Sequence, residues 1–293
     1  MVSYVAQLLN VSSELLPLFD EKLLVTRFQS PDGNLCFHGS CKYFCDTAHP
    51  VCGSPQVLEV SACFFIPYTV WTRALVRHPW RRSYHKRELA FWETQQGNKS
   101  HCTKLRTDPQ YDPFRGTHSK RLLHLIDISI LDFLIANMDR HHFEYILELG
   151  QDPNLIMLDN GKGFAKSSRN ELSILAPLFQ CCLLRRSTWE KLLLLQNGPV
   201  RLSGLLERAL EGEFAHMRSS PLFAASDHSR TQHSLHSQQT LQPLQQLETQ
   251  QILHPKHLQA LDDRLQRIVR VVNEDCVRNR GLPLDRILID DGL

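Results

Sequence analysis

Two short stretches of this 293-residue chain gather side chains that could do chemistry. The first, Asn137-Met138-Asp139-Arg140-His141-His142-Phe143-Glu144, puts ionisable groups and an Asn into a polar break after a long apolar pattern. The second, Leu155-Ile156-Met157-Leu158-Asp159-Asn160-Gly161-Lys162-Gly163, ends an apolar run on a carboxylate just before a glycine. Acids displayed this way suit phosphoryl transfer: one orients a hydroxyl, and the other holds a divalent cation on nucleotide phosphates. A kinase site has a catalytic-loop Asp, an Asn five residues on, and then Asp-Phe-Gly. Here Glu144 stands five residues after Asp139, and Asp159-Asn160-Gly161 stands in the place of the triplet. The match is partial, because neither His-Arg-Asp nor the triplet's Phe is present. The structural alternative is that Asp139 and Asp159 only cap a helix and a turn.

Positioning these acids falls to their neighbours. Residues 121–136 carry Leu122, Leu123, Leu125, Ile126, Ile130, Phe133 and Leu134, a wide apolar face that predicts a buried helix. Residues 154–158 read as a short buried strand ending at Asp159. His141 and His142 lack an evident third metal ligand, which favours a structural role. Upstream, Val5, Leu8, Leu9, Leu15 and Leu16 recur at helical spacing, so residues 4–28 are expected to be helical, with Ser12-Ser13-Glu14 as a start signal. Ser30-Pro31-Asp32-Gly33-Asn34 is a turn. Residues 35–63 read as loops and short strands, and Ser61–Pro67 as a strand or linker. The run from Arg77 to Arg87 mixes cations with aromatics. It fits either a grip on an acidic or sugar partner or a solvated face with its Trp anchored in the core. Ser187 and Thr188 look like caps of a following helix. Ser, His, Gln and Thr dominate 219–256, a low-complexity insertion. Amphipathic helix returns over 256–279, with Leu258, Leu261, Leu265, Ile268, Val269 and Val272 on one side.

Composition narrows the classes. At 42% hydrophobic residues the chain can bury a core. With 33 basic and 31 acidic residues, nothing demands nucleic acid or an anionic membrane. No apolar run reaches the ~18 residues of a spanning helix, and Met1–Ala6 lacks the charged region of a secretory signal. Nine cysteines point instead to an oxidising compartment, above all the crowded Cys36, Cys41, Cys45 and Cys52. Zinc is the competing reading, weakened by irregular gaps. Asn10-Val11-Ser12 and Asn98-Lys99-Ser100 are glycosylation sequons. No Gly-x-Ser-x-Gly elbow supports hydrolase chemistry.

The strings Asp132–Glu144, Leu158–Phe164, Ser173–Cys182, Asn34–Phe37, His78–Tyr84 and His257–Asp262 together resemble the secretory-pathway kinases called "family with sequence similarity twenty". The resemblance implies a mainly α fold with short β strands: an atypical protein-kinase-like C-terminal lobe, with the N-terminal lobe largely missing. Its parts would be a helical lead-in (1–34), a cysteine-rich segment and hinge (35–67), the lobe core (68–218), the insertion (219–256), and a C-terminal helix and tail (257–293). It implies Asp139 as catalytic base, Glu144 on the nucleotide side and Asp159 on manganese or magnesium. Backbone groups of Cys63, Phe64, Phe65 and Ile66 would lie against the adenine of ATP. It implies disulfides Cys36–Cys52, Cys41–Cys45, Cys102–Cys181 and Cys182–Cys276, and residence in the Golgi lumen or outside the cell. The implied reaction moves the γ-phosphoryl of ATP to a hydroxyl. The acceptor would be xylose of the proteoglycan linkage region, or alternatively serine in acidic secreted proteins. A pseudokinase or other non-catalytic partner of a family member is the third reading. Phe64–Pro67, Val70-Trp71, Arg77–Trp80, Leu158–Lys162, Ser187–Trp189 and Ile287–Asp291 lean to the xylose kinase, whereas Met138 and Arg81–Lys86 lean to the protein kinase. The 35 residues before Cys36 hold neither a glycine-rich loop nor a strand lysine. Little activity is therefore expected of this chain by itself.

Overall fold

The structure is a computed structural model. It describes residues 5–18, 24–40, 44–62, 72–83, 85, 87–111, 114, 119–149, 154–157, 159–164, 166–218 and 253–290. The chain forms two compact units. The hinge residues Cys63, Phe64, Phe65 and Ile66, and nearly all of the low-complexity insertion, lie outside the described residues.

The smaller unit takes residues 2–65 and 209–250. Over residues 5–62 its described part is built largely from strands where a helical lead-in was expected. β1 (Val5–Asn10) and β2 (Leu24–Gln29) stand within the stretch expected to be helical over 4–28, and of its described residues only Val11–Leu15 and Leu16–Leu18 are helical, as short π and 3-10 turns. Three-to-four spacing over so short an apolar run does not decide between helix and strand, and pairing partners do. β1 finds its partner in β5 (Val57–Ala62), antiparallel in the register Val5↔Ala62 to Asn10↔Val57. The Asn10 carboxamide ends β1 by accepting the Ser12 and Ser13 amides at 3.1 and 3.0 Å. β2 turns back through Ser30–Asn34 into β3 (Leu35–Gly39). There Ser30 N donates to Asn34 O at 2.9 Å, and Gly33 takes φ +80°, the left-handed region a glycine enters freely. β3 also pairs with β4 (Val51–Cys52), setting Cys36 directly opposite Cys52, and the two form a disulfide. Val11, Leu16 and Phe37 are the small core. Cys45 is disulfide-bonded, and Cys41 lies outside the described residues.

The larger unit takes residues 66–208 and 251–293. β6 (Arg73–Arg77) leads to α1 (Gln95–Thr107) and then to α2 (Lys120–Leu134). α2 buries Leu122, Leu123, Leu125, Ile126, Ile128, Ile130 and Phe133, so it runs through the middle of the core. β7 (His142–Ile146) returns antiparallel to β6. α3 (Ala176–Cys181), β8 (Leu184–Arg185), α4 (Arg186–Asn197) and α5 (Leu202–Arg218) follow. α6 (Pro255–Val271) continues into a π-helical stretch, Val272–Asn279. α7 (Leu284–Ile287) and β9 (Leu288–Ile289) close the fold, with β9 parallel to β8. All six apolar residues predicted on one side of the C-terminal helix are buried. The expected Ser187 and Thr188 caps give way to another use. α4 starts at Arg186, and the Thr188 hydroxyl instead donates to Asp127 at 2.7 Å, tying α4 to α2.

Trp80, within the basic run, sits in the core, as does Trp92 just beyond it. Trp80 and Trp92 are buried, and Trp80 Nε1 donates to Gln180 at 2.8 Å. Adjacent cysteines at the end of α3 go different ways: Cys181 bonds Cys102 on α1, and Cys182 bonds Cys276. Cys182 does this at φ +48°, outside the helix. The loops these bridges close span 79 and 94 residues, so each removes much freedom from the unfolded chain. Cys276→Ser is expected to lower stability by about 2–5 kcal/mol, checked by denaturant unfolding of the oxidised protein.

Candidate active site

α2 does not end on a glycine. Ile135 caps it, and Ala136 then swings to φ +57°, turning the chain sharply into the acidic loop. Among the described residues five non-glycines have positive φ, and three of them, Ala136, Asp159 and Phe164, flank the two acidic loops. Strain of this kind persists only where surrounding contacts enforce it. The contacts are visible. Asn137, 1% exposed, donates from its backbone N to Asp132 O at 2.8 Å and from Nδ2 to Asp132 Oδ1 at 3.1 Å. Its own Oδ1 accepts the Asp139 amide at 3.2 Å. The Asp139 carbonyl lies 2.7 Å from His141 Nδ1, and His141 O accepts the His78 amide at 3.0 Å. The backbone of Asp139 is thus pinned from both sides.

Arg140 joins the two loops. Its Nε and Nη2 grip Asp132 in a fork at 2.9 and 2.8 Å, the two side chains being 5% and 2% exposed. Nη2 also donates to Asn160 Oδ1, beside Asp159. On the far side, Glu144 O accepts the Ile156 amide at 2.6 Å, an isolated antiparallel bridge where a strand was expected over 154–158. His124 Nδ1 accepts the Leu155 amide at 2.9 Å. The Asp159 turn is then closed by Gly163 N on Asn160 O at 2.9 Å and by Phe164 N on Ile135 O at 2.6 Å.

The three acids stand differently. Asp139 lines a cavity of ≈ 70 Å³ together with His78, Trp80, Arg82, Asn137 and Ser173; neither Glu144 nor Asp159 is among its walls. Asp159 is exposed, and its Oδ1 accepts the Gly161 amide at 3.4 Å. Glu144 is ion-paired with Arg73 across β6–β7 at 3.0 Å, the two being 19% and 15% exposed. His141 and His142 stack edge to face, with ring centroids 4.5 Å apart. Among the described residues no group of three or more His, Cys, Asp or Glu is arranged for a metal ion.

Two histidines that support the site are held neutral. Burial, reinforced by Arg140, His101 and His141, pushes His78 down to about 3. Burial, then Arg185, pushes His124 down to about 4. Each uses Nδ1 as an acceptor, His78 from Trp80 N and His124 from Leu155 N, which protonation would abolish. Below an ordinary pKa of 6.5 the unfolded chain takes up protons that the folded chain refuses. Their contribution to stability is therefore complete above pH 6.5 and is lost as pH falls toward about 4 and 3. The slope approaches about 1.4 kcal/mol per pH unit for each histidine. The midpoint of thermal unfolding should fall across that window, and His124→Gln should flatten the fall.

Sequence reasoning did not single out Asp132, Arg140 or Arg264 by role. Asp132 carried a signal: an acid in the last turn of an apolar helix opposes the helix dipole and calls for a buried cation. Arg264 carried another, a cation on the apolar stripe between Leu261 and Leu265.

Comparison with known proteins now decides the lineage. A family model described as Fam20C, Golgi casein kinase, C-terminal, matches residues 1–230. The chain belongs to the Fam20 family. It is 38% identical over 275 residues to the Homo sapiens extracellular serine/threonine protein kinase FAM20C, covering 94% of this chain and 39% of that protein. The Mus musculus pseudokinase FAM20A is 36% identical, over 98% of this chain and 45% of its own length. The Homo sapiens glycosaminoglycan xylosylkinase is 34% identical, over 98% and 58%. A crystal structure of the Golgi casein kinase with Mn/ADP bound superposes with a TM-score of 0.67 at 32% identity, covering 96% of this chain and 58% of that one. The chain thus spans about half the length of its curated Fam20 relatives. The fold is that of Fam20 kinases, mainly helical with short strands.

Proposed function

We propose that the protein is a phosphotransferase of the secretory pathway, moving the γ-phosphoryl of ATP to a hydroxyl. The observation that carries this reading is the Arg140–Asn160 link, which ties the Asp139 loop to the Asp159 loop in a Fam20 chain. Asp139, with its backbone fixed and its carboxylate lining a cavity, would orient the acceptor hydroxyl and take its proton. Asp159 fits a manganese or magnesium ion carried on the nucleotide. It is exposed, and such ions need only one or two protein carboxylates beside the phosphates. The ion, when bound, would offset charge on the transferring phosphoryl. Glu144 would face the nucleotide as half of its pair with Arg73, which holds it in place and reduces its net charge. Three disulfides among the described residues support an oxidising compartment, the Golgi lumen or beyond.

For the acceptor, the cavity beside Asp139 is the informative surface. Arg81, Arg82 and Met138, three of the residues that resemble the protein kinase, line it. Arg81 and Arg82 next to the base, the second also 3.6 Å from Glu171, support serine in an acidic protein segment. His78 and Trp80, shared with the xylose-kinase pattern, line it too and support xylose as the second reading. The test offers the purified protein manganese and ATP with either an acidic Ser-x-Glu peptide or a xylose-bearing linkage glycan. Transfer to the peptide supports the first reading and transfer to the glycan the second. Nucleotide binding without transfer to either would favour a non-catalytic partner.

A further inference from the structure

We propose that Arg140 is a positioning residue that fixes the spacing between the acceptor-orienting loop and the cation-binding loop, with Asn160 as its receiving end. The inference rests on the phosphotransferase reading for its catalytic consequence, but its geometry stands without it. Asp132 is fixed on α2, ten of whose 15 residues are buried, and holds Arg140 by a two-point fork. A fork removes the rotational freedom that a single contact would leave, so the guanidinium plane is set by α2. The same Nη2 that reaches Asp132 Oδ1 also donates to Asn160 Oδ1. Arg140 is one residue from Asp139, and Asn160 is one residue from Asp159. One guanidinium therefore references both acids to one rigid helix.

The turn that Asn160 opens has its own closing bonds, Gly163 N to Asn160 O and Phe164 N to Ile135 O. Ile135 is the residue that caps α2, so both ends of the 160–164 turn refer to the same helix, one through Arg140 and one through the backbone. Losing the side-chain tie leaves the turn held at one end only. The acid at 159, already at φ +54°, would then lose its fixed distance from Asp139. Reacting groups displaced by about an ångström can lose about a hundredfold in rate. Lysine cannot substitute, because one ammonium cannot make the fork and also reach Asn160 in plane.

The experiment compares Asn160→Ala, Arg140→Lys and the double variant with the parent protein. Asn160→Ala is the cleaner probe, since it leaves the buried Asp132–Arg140 pair intact. Two quantities are read: amide exchange across Gly161–Phe164, and kcat and KM for manganese-ATP. Asn160→Ala should speed exchange of the Gly163 and Phe164 amides about tenfold, with the thermal midpoint unchanged. It should lower kcat by a similar factor, and the double variant should be no worse than Arg140→Lys, as expected of residues acting as one unit. Exchange within about twofold of the parent in Asn160→Ala would overturn the proposal. If the parent transfers no phosphate by itself, the exchange measurement alone decides whether Arg140 sets the loop.

Discussion

Asp139→Asn is expected to cut phosphoryl transfer by about a hundred- to ten-thousandfold while leaving the thermal midpoint where it was. The two halves of that expectation come from different atoms. What holds the loop is backbone and neighbours: Asn137 Oδ1 on the Asp139 amide, His141 Nδ1 on its carbonyl, and the Asp132–Arg140 fork beside it. None of these uses the Asp139 carboxylate, which has no hydrogen-bond partner among the described residues, so the amide can replace it without unpairing anything. What the carboxylate supplies is a charged acceptor for the hydroxyl proton, and an amide is a poor base. KM for ATP should change little, because the cation and nucleotide are assigned to the other loop. Loss of rate with a preserved midpoint and KM separates a base from a scaffold residue. A variant that keeps more than about a tenth of the parent kcat would remove Asp139 from that role.

The helical half of the molecule was readable because its signal is long. The faces of 121–136 and 256–279 run over several turns, and a wide apolar stripe has one stable answer, burial in a helical core. The small unit was not readable for the opposite reason. Val5, Leu8 and Leu9 fit a helix face as well as a strand, and what selects the strand is β5, about fifty residues away in sequence. The acidic loops lie between these cases. Residue type and spacing pointed to Asp139, Glu144 and Asp159, but not to how they are held. Arg140 was visible only as a charge beside an acid. Its geometric role depends on Asp132, which periodicity places on a buried face and composition alone cannot pair with anything. Glu144 shows the same limit: its partner Arg73 lies on another strand, and nothing local announces the ion pair.

Arg264→Met is expected to destabilise the larger unit by about 3–5 kcal/mol, a large share of a typical folding free energy. Arg264 is 0% exposed, and among the described residues no carboxylate lies in its hydrogen-bonding shell. Its five hydrogen bonds go to neutral oxygens: Asn170 Oδ1 at 3.0 Å, Leu134 O at 2.9 Å, and the carbonyls of Lys166, Ser167 and Arg169 at 3.1–3.2 Å. Burial lowers its pKa, with nearby Asp263 opposing, so the site pays desolvation and recovers it through carbonyl dipoles. Methionine keeps much of the volume but takes a donor from four backbone carbonyls, of which Lys166 O keeps the Arg169 amide at 3.3 Å. Three of them belong to the segment just after the Asp159 turn, and the fourth closes α2 one residue before Ile135. Loosening should therefore start there, with trypsin reaching Lys166 and Arg169 sooner than other sites. Arg264→Lys should recover only part of the loss, since three donors on a point charge cannot match five on a rigid plane. A drop below about 1 kcal/mol for the methionine variant, or trypsin cutting elsewhere first, would mean that the carbonyl cage closes without its cation.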